Sequence, residues 1–499
     1  MPYDESMLQY MLLPLSLFAL RQAPVGTELH VRLVTPVGSY ASKAGSSVSG
    51  MLIAPVAVGD QTILPEGSML SGSVQRVGKI GFGILHETAT LVLNFNEVTL
   101  PNGETFRLAT RLTDVDNSRE RVIPDGSIQG VRSTASISYR FSGYIRTALL
   151  WEVHARLAFW AIKTLLVRVP EPEIYYPSGV ELTLALSEPA YGQPQPESAE
   201  LAGRLSEEAR DVLEPMVDDM PVRTRAQNSG RESDLVNMMF IGSREEISRA
   251  FVAAGWTQAT TKSMRSRYLG VRAFVEGEGY HAFPMSVLLL NDEAPDMFWQ
   301  KGLNDVTKRH HIRVWKQAET WNGEQIWIGA ATRDVDFAYM RHRQAVTHKI
   351  EEDIDRERDK IVHDFEFTSC ADVADYVERP HVPQFTHNAT SDPMETDARI
   401  AVVHLNECNA PHVTKWVGEP LPMHGNPFQR LARRQILSIR SDFYRQNPYF
   451  RSYEGARWLV TTIHNHRHRN DPERDSAPAT SDPAAEGLLA RALNSSWGR

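Results

Sequence analysis

The first third of the chain alternates with a period of two. In TELHVRLV, Leu29, Val31 and Leu33 share one side while Glu28, His30 and Arg32 take the other. ATLVLNF repeats the pattern with Ala89, Leu91, Leu93 and Phe95, and TFRLATRL does so with Phe106, Leu108 and Leu112. Pro-x-Gly turns separate these runs at Pro24-Val25-Gly26, Pro65-Glu66-Gly67, Pro101-Asn102-Gly103 and Pro177-Ser178-Gly179. Two turns open similar strands, PVGTELHVRL and PSGVELTLAL. Short strands between tight turns cannot bury a face alone, so the pattern predicts a β-barrel or sandwich. One helix, at about 144–168, interrupts it.

The barrel does not exhaust the 499 residues, a length that calls for two or three domains. Residues 191–230 are rich in Pro, Glu, Ser and Gln and read as a linker containing a short helix. Beyond it LVNMMFIGS is an apolar strand, and Ser243 caps a helix, REEISRAFVAAGW, with Glu246 at the capping-box position and Gly255 as its stop. A second helix is expected from His348 to Phe365, with Glu351, Glu352 and Asp353 in its first turn. ARIAVVHL is a later strand. The fold class is therefore α+β and multidomain: a β-barrel or sandwich at 24–190, the linker, and an α/β domain with a Trp-rich hairpin at 231–425. A basic helical tail and a disordered C-terminus fill 426–499.

Two resemblances follow from quoted stretches. LPEGSMLSGSV and LVLNFNEVTLPNGETFRL resemble the β-barrel of TrbI-like components of type IV secretion channels, over about residues 24–115. Such barrels also occur in unrelated envelope proteins, so this implies a fold and not a channel. The order GSREE, AAGW, HHIRVW, WIGAATRD and THKIEEDIDRERD resembles the LssY C-terminal domain family, over about residues 233–410. That resemblance implies no particular activity or cofactor. Its recurring polar positions correspond to His310, His311, Arg313, Trp315, Trp327, Thr347, His348, Asp353, Asp355, Glu357 and Arg358.

The chemistry concentrates in KRHHIRVWKQAETWNGEQIWIGAATRD. Adjacent strand residues face opposite ways, so His310 and His311 cannot both serve one centre without a bulge. With Asn322-Gly323 as a two-residue turn, Trp321 pairs with Glu324, Val314 with Ala331, Arg313 with Thr332 and His311 with Asp334. One face then carries His310, Ile312, Val314, Trp327 and Ala331, and the other His311, Arg313, Trp315, Thr332 and Asp334. A packed acidic helix could bring His311, His348 and Asp355 to a divalent metal, with Arg313 on an anionic substrate. The competing reading is a structural network, in which Arg313 and Arg358 pair with Asp334, Asp355 and Asp359, His310 is a hydrogen-bonded core histidine, and the tryptophans pack. HExxH, GxSxG, GxxxxGK[ST] and a strand-borne GxGxxG are all missing, so the network is the reading adopted.

Location and partners rest on other features. Ser6 to Leu20 is an uncharged apolar run of signal-peptide length, although Asp4 and Glu5 stand where positive charge belongs. Residues 1–23 are read as a signal or anchor segment, placing the protein in the periplasm or envelope. Cys370 and Cys408 can form one disulfide there and cannot build a Cys-rich zinc site. The net charge of −9 gives no field for nucleic acid. Gln429 to Arg469 holds nine arginines against Asp442 and Glu454, suiting anionic lipid or an acidic partner, or an acidic face of the chain itself. The function expected is a non-catalytic binding or scaffolding module meeting an envelope protein or a membrane surface. The alternative is a metal-assisted hydrolase of an anionic substrate.

Overall fold

The computed structural model describes chiefly residues 21–136, 169–193, 202–259, 285–408 and 426–450, with gaps at 60, 82–86, 306 and 341–344. The apolar run Ser6 to Leu20, most of the helix expected at about 144–168, and the chain from residue 461 onward lie outside these residues.

The alternating segments form one nine-stranded antiparallel sheet. Its order runs Thr110–Val115, Glu181–Leu186, Glu28–Leu33, Ser47–Leu52, Met69–Gly78 and Thr90–Thr99, then the short Ile128–Gln129 and Arg121–Val122, with Thr105–Arg107 also beside Thr90–Thr99. The sheet curls until its first and sixth strands meet: Leu108 N–H donates to Asn96 O, and Thr110 Oγ1 to Phe95 O. It is a nearly closed barrel. The two look-alike strands lie side by side, with Glu181 opposite Arg32. Each follows a turn whose glycine has positive φ, 88° at Gly26 and 89° at Gly179, which a side chain would strain. Leu29, Val31, Leu182 and Leu184 point into the barrel core.

The second half is an eight-stranded mixed sheet in the order Thr257–Gln258, Met297–Lys301, Arg309–Trp321, Glu324–Met340, Met238–Ile241, Arg399–Leu405 and Ala371–Glu378, with Ala345–Ile350 on the far end of Glu324–Met340. Met238–Ile241 and Arg399–Leu405 run parallel. Three helices cover it: α1 (Glu207–Asp218), α2 (Arg244–Ala253) and α3 (Asp355–Phe367). α2 begins at the expected capping box, with Ser243 and Glu246 each bonding the other's backbone. Ile247 and Phe251 of α2 and Ile361 and Phe365 of α3 pack on Phe240, Ile312, Val314 and Ala331. Leu213 and Val217 of α1 cover the opposite face, over Met239, Ile241, Ile326 and Ile328.

That second apolar face corrects the linker at 191–230. From Ala202 the segment is part of the C-terminal domain: Gly203 bridges to Val373, α1 roofs the sheet, and Arg223–Ala226 pairs with Glu232–Leu235. A sheet apolar on both sides must be covered on both sides, and the polar composition concealed the buried Leu213 and Val217. The second helix is also shorter than expected. Ala345–Ile350 is a strand paired with Asp334–Met340, placing His348 opposite Phe337, and α3 starts only at Asp355. Val346, Thr347 and Ile350 favour extended backbone, and acids in a first turn do not fix where a helix begins.

The tail contains α4 (Pro427–Gln446), capped by Asn426 and Gln429. It returns to the barrel, where Leu437 is buried in the core.

Candidate functional site

The hairpin Arg309–Trp321/Glu324–Met340 positions the candidate residues. Trp321 pairs with Glu324 as expected, but His311 faces Thr332, Arg313 faces Ala330 and Val314 faces Gly329. The register slips by two because Gln317, Ala318 and Glu319 bulge out between Lys316 and Thr320. The Gln325 side-chain amide donates to Gln317 O in that bulge. A slip of two preserves every side chain's face. His310 and His311 thus still point to opposite sides, each into a different buried network.

On His311's side the side chains pair with one another. His311 Nε2 lies 2.9 Å from Thr332 Oγ1, and its Nδ1 lies 3.8 Å from Asp334 Oδ2. His348 Nδ1 approaches the same carboxylate oxygen at 3.4 Å, and Arg309 Nε donates to it at 2.6 Å. Arg313 donates to Asp234 Oδ2 at 3.1 Å and to the backbone and hydroxyl oxygens of Ser286. Trp315 Nε1 donates to Glu293 O. His311, Arg313, Trp315 and Asp334 are all buried.

The expected metal triad does not assemble. His311 and His348 do meet, but at Asp334 and not at Asp355. Asp355 instead accepts from Thr396 Oγ1 and from the Asp397 N–H, and pairs with Arg358. Arg358 is itself bound to Asp359, Asp397 and Arg399 O, and lies over the Tyr376 ring. Two guanidinium groups, from Arg309 and Arg313, already balance Asp334 and Asp234, so a dication would enter an electroneutral pocket. Among the described residues no group of three or more His, Cys, Asp and Glu side chains could hold a metal.

Electrostatics there favour a neutral imidazole. Burial outweighs the pull of Asp334 and pushes His311 down to about 3, while His311 and the arginine hold Asp334 at about 2 against its burial. A histidine depressed in the folded state contributes stability that is present above its unfolded value near 6.5 and lost as pH falls below it. Wild type and His311→Gln compared by thermal melts from pH 7 to 4 should therefore diverge. The wild type should lose about 3 kcal/mol more over that range; parallel curves would refute a buried neutral His311.

On the other side His310 does more than sit in a core. Its Nδ1 lies 2.5 Å from Glu357 Oε2 on α3, and its Nε2 lies 2.7 Å from Asp116 Oδ2, which belongs to the barrel domain. Burial opposes its charge, yet the two carboxylates prevail and raise its pKa. Arg333 also donates to Asp116, at 2.7 Å. A second cluster lies alongside. Asp364 of α3 pairs with Arg32 of the barrel and with Lys301 at 3.3 Å, while Glu181 of the barrel pairs with Arg32 at 2.9 Å, Lys301 at 2.7 Å and Lys360. Trp256 Nε1 donates to Asp364. Together these groups form a polar seam joining barrel to sheet. A cavity of about 290 Å³ opens in it, lined among others by His30, Asp116, His310, Arg333, Glu357 and Lys360.

The sequence reading missed Asp116, Glu181, Lys360 and Asp364. Arg32 and Glu181 stand on the outward face of barrel strands, a position that reads as solvated until a second domain covers it. Glu357 carried one signal, as a recurring position of the LssY resemblance.

Comparison with known proteins bears on the sheet that carries this hairpin. Residues 217–400 match the LssY C-terminus family. The match runs from the end of α1 into the strand Arg399–Leu405 and so takes in the hairpin, α2 and α3. The match begins earlier than the sequence motifs, which started near residue 233, and so includes the Arg223–Ala226 strand. The structure of ComB10 of the Com type IV secretion system of Helicobacter pylori aligns with 36% of this chain and 94% of its own, at 12% identity. The TM-score of 0.21 does not establish a shared fold. No curated protein matches the chain.

Proposed function

We propose that the protein is a non-catalytic binding or scaffolding module of the cell envelope, its LssY-like domain held to the barrel by the polar seam. The observation that carries this reading is the closure of the candidate site. Each candidate side chain is bound to another side chain or to backbone, and His311, Arg313, Trp315 and Asp334 are shut from water, whereas catalysis needs such groups free at an open cavity. The envelope location draws support from the Cys370–Cys408 disulfide, whose Cα atoms are 4.2 Å apart, since such bonds persist in oxidising compartments. The TrbI-like turn and strand pattern makes a secretion assembly the first place to seek a partner.

The hydrolase reading is kept alive by His311 and His348 meeting at one carboxylate. Elemental analysis of purified wild type and His311→Ala decides between the two. The expected outcome is no stoichiometric metal in either protein and a markedly less stable variant. Near-stoichiometric metal in wild type, lost from a variant that still folds, would overturn the scaffold reading.

A further inference from the structure

The tail helix α4 is oriented opposite to an ordinary surface helix. Its arginines face the protein: Arg433 donates to Glu173 at 2.7 Å, Arg434 to Glu171 at 2.8 Å, Arg440 to Gly81 O, and Arg445 approaches Glu87 at 3.6 Å. Ser441 lies against Ser133, and Leu437 fills the barrel core between them. These contacts fix the rotation of the helix about its axis. Phe428, Ala432, Ile436, Ile439 and Phe443, which follow one another at helical spacing, must then point away. Phe428 is 77% exposed, Phe443 64% and Ile439 55%, and the row carries no charge. Apolar exposure continues past the helix in Tyr449, at 85%, and in Leu459 and Val460.

Charge decides what covers this face. Arg433, Arg434, Arg440 and Arg445 are engaged by the protein, but after α4 come Arg451, Arg457, Arg467 and Arg469 against Glu454 alone. Two-fold pairing with a second copy would bring two such positive stretches together. A bilayer with anionic headgroups attracts the same stretch and accepts the apolar row. We propose that α4 seats this end of the protein on an anionic lipid surface, with Phe428, Ile436, Ile439 and Phe443 at the headgroup–acyl boundary. The helix lies on the membrane: among the described residues none is long and apolar enough to cross one. This inference is independent of the scaffold reading.

The test is flotation of the full chain with phosphatidylcholine vesicles, with and without phosphatidylglycerol, for wild type, Ile439→Asp and Phe443→Asp. Both positions are exposed, so thermal melts should confirm intact folds. Wild type should float with anionic vesicles and less so at high salt, and each variant should lose about tenfold in partitioning. The variants retain the apolar run near the N-terminus, so a loss is assigned to α4. Equal flotation of all three proteins, or no flotation of wild type, would overturn the proposal. So would a wild-type dimer in light scattering that the variants abolish without any vesicle binding.

Discussion

Replacing Asp364 by alanine should destabilise the protein by about 3–5 kcal/mol, the cost of breaking a buried ion cluster from one side. Asp364 is the carboxylate that Arg32, Lys301 and Lys360 all approach, and it also accepts from Trp256. Without it three cations share Glu181 alone, nearly closed to water. The variant should also be cut by protease at the barrel boundary faster than wild type, because the seam joins elements far apart in sequence. Urea melts give the energy and limited proteolysis the location. A change below about 1 kcal/mol would mean that water already solvates the cluster.

The opposite sign is expected at Glu66, in the Leu-Pro-Glu-Gly turn of the barrel. Its carboxyl is buried and Oε1 has no hydrogen-bond partner. Burial, followed by the nearby Glu366 and Asp364, pushes it up to about 9 against the pull of Arg32. The folded state thus holds a proton that the unfolded chain releases near 4.5. The stability linked to that proton is complete below the unfolded value and declines as pH rises toward 9. Glu66→Gln should therefore be more stable than wild type by about 4 kcal/mol at pH 7.5, with the gap closing as pH approaches 4.5. A variant no more stable than wild type at neutral pH would show that Glu66 is ionised and paired.

Much of this architecture was legible before the structure. Alternation and Pro-x-Gly turns specify the barrel because period and punctuation are local properties, and the Ser243 capping box specifies α2 for the same reason. The hairpin turn at Asn322-Gly323 was readable, yet the register beyond it was not: a bulge at Gln317–Glu319 has no signature that alternation can detect. A short helix was expected in the segment that became α1, but the polar stretch around it concealed that Leu213 and Val217 are buried against the sheet. The site was legible in part. His311, His348 and Asp334 were all singled out, and the assignment of Asp355 to them failed once α3 began later than its charge pattern implied. The seam was invisible because Arg32, Asp116 and Glu181 lie in one domain and Lys301, Glu357 and Asp364 in the other. Only docking makes them neighbours.

Leu437 has a consequence for how the chain reaches its native state. It lies in the core of a barrel whose strands end at Leu186, so that core lacks a piece until some 250 residues further on have been made. An N-terminal domain usually folds first as it emerges, but here the barrel can close only provisionally, with a hydrophobic gap at one end. Contacts between such distant parts of a sequence slow the final step and leave an intermediate with an exposed opening. A chain ending just before α4 should accumulate in that state, sticky and protease-sensitive, even though every barrel strand is present.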